Sequence, residues 1–263
     1  MSVINTLRER IESYDELTDI KLLRRVPVVI ILNGRSFKKI TSLLQKPFAP
    51  EFMELMCGTM IKLSQEIDGT IFSYTYNDSI VIIARNDQNY NTDAWFDNRV
   101  QKIVSASAAI ATLEFNRLAK TNNIQLFGDP IFIARTFVVP NITEALNTLM
   151  AFQQSCYGSA LGLTCFYELL KKYDIETVQQ TIANRSPQEK IELLFSECGI
   201  DFNMLPLTFI RGVACYRAAK VINIGGDEKI KNKLIVDLKL PLFSKDREFL
   251  ESIFRQGRDI IRI

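Results

Sequence analysis

Histidine is absent from this chain of 263 residues. Its absence excludes hydrolases that use a Ser-His-Asp or Cys-His arrangement, HExxH proteases, Cys2His2 fingers and phosphotransfer through histidine. Any acid–base work must then fall to carboxylates, lysines, tyrosines or metal-bound water. A bound metal is expected to be a hard ion held by oxygen ligands, chiefly Mg²⁺.

Paired cysteines and membrane-spanning segments are also lacking. The five cysteines are odd in number and form no CxxC pair, which disfavours a disulfide framework and a zinc site. No signal peptide opens the chain, and no apolar run approaches the length that crosses a bilayer. These absences predict a soluble, cytoplasmic protein with no membrane partner.

The chain has little net charge, because 32 basic side chains stand against 30 acidic ones. Overall electrostatics therefore do not indicate a nucleic-acid binder, although local patches could still serve. Apolar residues make up 47% of the chain, which is enough to bury a large core in one large domain or two small ones.

The spacing of apolar residues predicts an α+β fold. In the first half the order is strand, helix, strand, strand, helix, strand, which is the split βαβ or ferredoxin-like arrangement found in polymerase palms and in cyclases. We predict a palm-like catalytic domain over residues 1–140, with appended helical and β segments over 141–263 packed on it. The predicted palm elements are a leading helix at 2–24, a strand at 26–32, a helix at 51–67, a hairpin of 71–76 with 79–84, a helix at 93–119 and a strand at 131–139.

The second half is predicted to be mainly helical, with some β structure. Its predicted elements are helices at 141–155, 159–172, 174–183 and 187–198, β-rich stretches at 209–221 and 234–240, and a last helix at 244–257.

Two strand ends carry polar residues of particular interest. The apolar run Val28 to Leu32 ends at Asn33-Gly34, and the hairpin turns at Asn77-Asp78. Acidic side chains at these two places, on adjacent strands, are how a polymerase palm holds two Mg²⁺ ions. The hairpin supplies Asp78, whereas the first strand offers a neutral amide. Taken singly, each motif is also a common turn.

These residues predict a site for metal and triphosphate at the strand ends. Asp78 and the carbonyl group of Gly34 are placed as metal ligands. Backbone N–H groups of residues 35–38 could cradle a triphosphate, with Lys38 and Lys46 neutralising its charge. Ser79 lies past the hairpin tip, is predicted to point to the opposite face, and so is expected to matter less.

Several short segments, ordered from about residue 25 to about residue 250, carry a likeness to a known family. They are Asn33 to Phe37, Gln45 to Pro47, Phe72 to Ile83, Phe127 to Asp129, Lys190 to Phe195, Gly199 to Asn203, Phe209 to Gly212, Ile235 to Asp237 and Pro241 to Arg247. In this order they resemble the tRNA-His guanylyltransferases, and specifically the guanylyltransferase-like 3′–5′ polymerase branch.

The resemblance implies a nucleotidyltransferase that adds nucleotides to the 5′ end of a tRNA, in 3′–5′ addition or tRNA repair, by two-metal phosphoryl transfer. The 5′ end is activated with ATP or GTP, and the 3′-OH of an incoming nucleotide then attacks the activated phosphate. The family's first-strand Asp, which binds both metals, aligns with Asn33. The implied partners are Mg²⁺, GTP or ATP, tRNA, and further copies of the chain in a tetramer.

The residues assigned in this way fall into three overlapping groups. The predicted catalytic residues are Asp78, Asn33 and Lys46, the metal ligands are Asp78, Gly34 and Asn33, and the nucleotide-binding residues are Asn33, Gly34, Arg35, Ser36, Phe37, Lys38, Asn77 and Asp78.

Two departures from the family pattern leave the activity open. Asn33 cannot supply the charge of a carboxylate or bridge two ions well. The helix that carries an Arg-Gln…Asn signature in the family reads Phe152 to Ser159 here, without the arginine and the asparagine. The chain is therefore either an active nucleotidyltransferase or a weakened pseudoenzyme that binds nucleotide or RNA beside an active paralogue. A palm that makes a small nucleotide product without RNA is a third interpretation.

Overall fold

The computed structural model describes residues 6–87, 92–224 and 227–255. At its centre lies an antiparallel sheet with the strand order β4-β1-β3-β2-β5-β6. The strands are β1 (Val28–Arg35), β2 (Thr70–Tyr76), β3 (Ser79–Ala84), β4 (Ile131–Val138), β5 (Val213–Ile224) and β6 (Asp227–Asp237). The order β4-β1-β3-β2 is the predicted ferredoxin-like unit, so this prediction is confirmed. β5 and β6 extend the sheet beyond β2.

Helices pack on both faces of this sheet. In the described part of the chain the helices are α1 (Leu7–Glu16), α2 (Phe37–Ile40), α3 (Pro50–Glu66), α4 (Val100–Thr121), α5 (Ile142–Leu169), α6 (Ile175–Ile182), α7 (Pro187–Cys198), α8 (Leu207–Arg211) and α9 (Arg247–Arg255). One apolar core lies between the sheet and α3 with α4, and a second lies between the sheet and α5 with α9.

Successive side chains of β1 point to opposite faces of the sheet and so contribute to both cores. Val28, Ile30 and Leu32 belong to the core beneath α3 and α4, whereas Val29 and Ile31 belong to the core beneath α5 and α9. A strand buried on both faces reads as a continuous apolar run rather than an alternating one. The burial ends where the run ends, and the next residue is the half-buried Asn33. The polar site residues therefore lie at the edge of the core.

α5 is one continuous helix, whereas the sequence predicts two helices with a break near residue 157. Gly158 lies inside it, and a side chain there would meet no other atom within 4 Å. The helix has buried residues at intervals from Ala145 to Leu169. Because packing along the whole length outweighs the low helix propensity of glycine, the helix is not interrupted.

Several element boundaries also differ from prediction; for example, α4 begins at Val100 rather than at residue 93, and β6 begins at Asp227 rather than at residue 234. The leading helix ends at Glu16, and the backbone beyond it hydrogen-bonds to the segment before α4, where the N–H of Leu22 donates to the carbonyl oxygen of Asn98 at 2.9 Å. Residues 2–5 of the predicted helix lie outside the described part of the chain. The β-rich stretch predicted from residue 209 begins only at Val213, because α8 comes first. The last helix is described only to Arg255.

Within the described ranges, no helix is long and apolar enough to cross a bilayer. β5 belongs to the second part of the chain but pairs with β2 of the palm, so the two parts share one sheet. The predicted domain boundary at residue 140 stays a prediction.

Candidate active site

The end of β1 and the tip of the β2–β3 hairpin lie side by side, as predicted. The N–H of Gly34 donates to the carbonyl oxygen of Asp78 at 2.9 Å. One residue earlier, Asn33 is in register with Ser79 of β3. The structure therefore brings the two strand ends, which are more than forty residues apart in the sequence, into direct contact.

The side chain of Asn33 is held by two neighbours. Its Nδ2 donates to Oγ of Ser79 at 2.7 Å, and its Oδ1 accepts from Nη1 of Arg135 on β4 at 3.1 Å. Directly opposed residues of antiparallel strands share a face, so Ser79 points to the face of Asn33. Ser79 therefore supports Asn33, and the expectation that it matters less than Asp78 stays a prediction. The single oxygen that Asn33 could offer a metal already faces a guanidinium group.

Gly34 is required by the packing of the next turn. A side chain on Gly34 would place its Cβ 2.3 Å from the ring of Phe37. That ring is 3% exposed and packs against the rings of Phe52, Phe115 and Phe132. Phe37, a predicted nucleotide-binding residue, thus has its side chain mainly in the core, and its backbone is the part available to a phosphate.

A cavity of about 450 Å³, here called the front cavity, opens beside the hairpin tip. This volume is within the usual range for a small-molecule site. The hairpin contributes Asn77 and Asp78 to it, and the segment after β1 contributes Lys38 and Lys46. Its aromatic lining comes from Phe37, Phe48, Phe52, Phe166, Tyr167 and Phe209. A cavity with an apolar wall and a few charged groups at one end suits a nucleotide.

Asp78 and Lys46 are the partly buried charges of the front cavity. Burial raises the pKa of the Asp78 carboxyl and lowers the pKa of the Lys46 ammonium group. Nζ of Lys46 donates to the carbonyl oxygen of Thr41 at 2.9 Å. Among the described residues that line the cavity, Asp78 is the only acidic one.

Asn77 fixes the hairpin tip against α5. Its backbone has a left-handed φ of 46°, and its Nδ2 donates to Oγ of Ser159 at 2.7 Å. Ser159 also lines the front cavity. The position of Asp78 at the cavity is thus set by the hairpin turn and by a contact with a helix about eighty residues away.

The remaining predicted nucleotide-binding residues lie on the strand edge and in the turn after it. Arg35 and Ser36 are exposed, and Ser36 has a left-handed φ of 59° at the start of α2. In the described part of the chain, the N–H groups of Phe37 and Lys38 have no acceptor. Asn33, Gly34, Arg35 and Ser36 are not among the residues lining the front cavity. The structure therefore groups Phe37, Lys38, Lys46, Asn77 and Asp78 and leaves the others beside them.

The donor set at the strand ends fits one hard cation shared with phosphate oxygens better than it fits two. The described residues contain no group of three or more His, Cys, Asp or Glu side chains that could hold a metal. Asp78 contributes one carboxylate, and the oxygens of Gly34 and Asn33 are neutral. If two divalent ions were bound, most of their positive charge would have to be neutralised by the phosphates of the substrate.

Sequence reasoning missed two polar contacts and the aromatic wall. Arg135 could have been noticed, because it is a charged residue within the apolar strand Ile131–Val138. Ser159 was noticed only as part of the segment Phe152 to Ser159, and the aromatic residues other than Phe37 and Phe209 gave no such signal. Only the three-dimensional fold assigns them to one cavity.

Comparison with known proteins gives consistent matches. The family model described as tRNAHis guanylyltransferase matches residues 8–140. The tRNA(His) guanylyltransferase 1 of Arabidopsis thaliana is 24% identical over 225 residues, which are 82% of this chain and 38% of that protein. The chain therefore spans well under half the length of that relative.

Solved structures are similar over nearly the whole chain. A bacterial tRNA(HIS) guanylyltransferase-like protein in complex with ATP is 25% identical, with a TM-score of 0.80, and the match covers 94% of this chain and 98% of that one. The structure of such a bacterial protein with GTP is 26% identical, with a TM-score of 0.73 and the same two coverages.

Proposed function

This chain belongs to the tRNA-His guanylyltransferase family, and from that premise we propose that it is a nucleotidyltransferase that adds nucleotides to the 5′ end of a tRNA. The observation that carries the proposal is the front cavity at the end of the ferredoxin-like sheet, where Asp78 and Lys46 are partly buried together. The similarity to proteins solved with ATP and with GTP supports a nucleoside triphosphate as the occupant.

The residues around the front cavity divide the work of binding a nucleotide. Lys38 and Lys46 supply positive charge for the triphosphate, and the free N–H groups of Phe37 and Lys38 add hydrogen bonds to it. The aromatic wall gives the base an apolar surface. Asn77 positions Asp78 through its contact with Ser159. The reaction begins with activation of the 5′ phosphate by ATP or GTP, which transfers a nucleoside monophosphate to it and releases pyrophosphate. The 3′-OH of the incoming nucleotide then attacks the activated phosphate, and the nucleoside monophosphate leaves.

Mg²⁺ belongs to the proposal as a group held by Asp78, the carbonyl of Gly34 and, weakly, Asn33. When bound, it supplies Lewis-acid stabilisation of the charge on the phosphates. Because the donor set carries one carboxylate, the proposal favours a single resident ion completed by the nucleotide. The two-metal mechanism stays a prediction.

A pseudoenzyme that binds nucleotide or RNA is the second candidate, and the surroundings of Asn33 favour it. In a two-metal palm, the residue at this position binds metal ions. Here it contacts Ser79 and the guanidinium group of Arg135, both from the chain itself. A site that retains the nucleotide cavity but has lost one metal position would bind substrate without efficient turnover.

Two measurements on the wild-type chain separate these functions. The affinity for ATP and GTP is measured with and without Mg²⁺, and incorporation of labelled nucleotide at the 5′ end of a tRNA is measured in parallel. The proposed enzyme binds the triphosphate more tightly with Mg²⁺ and labels the tRNA. Metal-independent binding without label would favour the pseudoenzyme, and label in products made without RNA would favour the third interpretation.

The other predicted properties are part of the same proposal. A homo-oligomer, by resemblance a tetramer, is supported by α1, whose side chains Leu7, Ile11 and Tyr14 are 68%, 55% and 60% exposed. An apolar row of this kind is typical of a surface that another chain covers. The cytoplasmic location stays a prediction.

A further inference from the structure

A second cavity of about 540 Å³, here called the rear cavity, lies beside the middle of α5. Its walls come from α5, the start of α7, α8 and the segment after β6. The polar residues lining it include Gln154, Tyr157, Asn203, Arg211 and Lys245. The volume is again within the range of ligand sites.

The rear cavity is positively charged. Arg211 and Lys245 line it, and no acidic residue is among the described residues that do so. Neither cation forms an ion pair with any residue in the described ranges. Two unneutralised cations facing one cavity indicate an anionic ligand.

Arg211 shows an unmet hydrogen bond in addition to its charge. Its Nη1 donates to the carbonyl oxygen of Leu240 at 3.0 Å, which fixes the guanidinium group in place. Its Nε is buried and has no acceptor within the described part of the chain. Buried donors are nearly always paired, so the unpaired Nε is an uncommon feature of this side chain.

The rear cavity is distinct from the front one, because the two contact opposite sides of α5. Met150, Gln154 and Tyr157 line the rear cavity and recur at helical spacing, whereas Ser159, Leu163 and Phe166 line the front cavity. At 100° per residue the two rows lie about half a turn apart around the helix. A nucleotide in the front cavity therefore leaves the rear cavity free.

We infer that the rear cavity binds a phosphate group, carried either by an RNA strand or by a free nucleotide. The planar guanidinium of Arg211 and the point charge of Lys245 are the two side-chain types that proteins use most for phosphate. The ring of Tyr157 and the apolar side chains of Met150 and Leu242 offer contact surface to the attached base or sugar. The assignment of the phosphate to RNA chemistry rests on the proposed function.

The test uses the full chain and a neutralising substitution that leaves the fold intact. Lys245 is exposed and outside any helix, so Lys245→Gln removes charge without disturbing packing. Lys102→Gln, at an exposed position of α4, makes the same charge change outside either cavity and is the matched control. The probes are a short 5′-phosphorylated RNA oligonucleotide and ATP, each titrated over a salt series.

We expect Lys245→Gln to weaken binding of one probe roughly tenfold and to flatten its salt dependence. If the probe is the RNA strand, the slope of log K against log salt should fall by about 0.7 for one lost phosphate contact. Lys102→Gln should change neither quantity. A second variant, Arg211→Lys, keeps the positive charge but loses the paired N–H donors of the guanidinium group. It should lower the affinity for the same probe. Thermal unfolding of this variant checks that the fold is kept.

The binding measurements test the rear cavity independently of the nucleotide-addition activity. Loss of RNA affinity with unchanged ATP affinity assigns the phosphate to RNA, and the reverse assigns it to a free nucleotide. Equal affinities of Lys245→Gln and wild type for both probes would overturn the inference, as would a wild-type chain that binds neither. Failure of nucleotide addition to tRNA, with binding still dependent on Lys245, would overturn the proposed function alone.

Discussion

Asp78 and Asn33 lie at neighbouring strand ends of the sheet, but their charge and their surroundings differ. Asp78 lines the front cavity together with Lys46, and burial raises the pKa of its carboxyl group. Asn33 is outside that lining and is neutral, and its amide is engaged by Ser79 and Arg135. Asp78 therefore faces a cavity, whereas the amide group of Asn33 is hydrogen-bonded within the chain.

This difference means that the site is one-sided: the acidic group lies on the side of Asp78 and a basic group lies on the side of Asn33. Among the described residues that line the front cavity, Asp78 carries the negative charge, whereas Arg135 brings positive charge to the side of Asn33. A cation of the chain beside Asn33 lowers the need for a metal ion there and also opposes one. In the proposed function, the charged groups for the nucleotide therefore lie on one side of the site, and the other side contributes structure.

The largest expected effect comes from removing the single carboxylate. Asp78→Asn should reduce 5′ nucleotide addition on the order of 100-fold or more, because the charge that faces the reacting phosphates is lost. Asn33→Ala should reduce it less than about tenfold, since the amide supplies no charge. Both values of kcat/KM are measured on one tRNA. Equal losses in the two variants would contradict the one-sided site.

A smaller effect is expected when the missing carboxylate is restored. Asn33→Asp should raise addition on the order of tenfold, because a second negative ligand helps to hold Mg²⁺. Combining it with Arg135→Gln should raise addition further, since the guanidinium group competes with a metal for the new carboxylate. Activity is measured as a function of Mg²⁺ concentration.

Arg135→Gln by itself is the control for that experiment and should change addition little. A gain that needs less Mg²⁺ in the double variant supports the role of Arg135 as a competitor. If neither the single nor the double variant gains activity, Asn33 is not a decayed metal position.

The smallest effect is on stability and follows from the raised pKa of Asp78. A carboxyl whose pKa is higher in the folded chain than its ordinary 3.8 binds its proton more tightly when folded, so its ionised form destabilises the fold above that pKa. Asp78→Asn should therefore unfold at a higher temperature than the parent near pH 7, by on the order of a few degrees. The gain should shrink as pH falls through the folded pKa, because both side chains are then neutral.

Thermal unfolding of both proteins over a pH series measures this difference, without nucleotide or metal. Ser79→Ala, at the residue that is hydrogen-bonded to Asn33, serves as a comparison that carries no titrating group. A constant difference at all pH values would show that the effect comes from packing and not from the charge of Asp78.

Local patterns were enough to predict most of the palm. The continuous apolar run of β1 and the Asn77-Asp78 turn between two apolar strands identified the strand ends from neighbouring residues alone. These features depend on the period of a strand and on the preference of Asn for left-handed turns. Gly34 was also recognisable, as a glycine at the end of a buried strand.

Long-range contacts account for what the patterns did not predict. The continuity of α5 through Gly158 depends on packing partners along its whole length. The attachment of Asn77 to Ser159 and of Asn33 to Arg135 joins residues 82 and 102 positions apart. No short segment contains the information for such pairs, because their distance along the chain is arbitrary.

Composition and residue spacing are sufficient to predict the ferredoxin-like order, to exclude histidine chemistry and to identify one carboxylate where a two-metal palm needs two. These follow from composition and from periodicities that act over a few residues. The tertiary structure alone decided that Asp78 faces a cavity, that Asn33 is held by a guanidinium group, and that a second cationic cavity lies across α5. The chemical role of a charged, buried or unpaired polar group depends on the groups that lie near it, and those groups are brought together only in the folded chain.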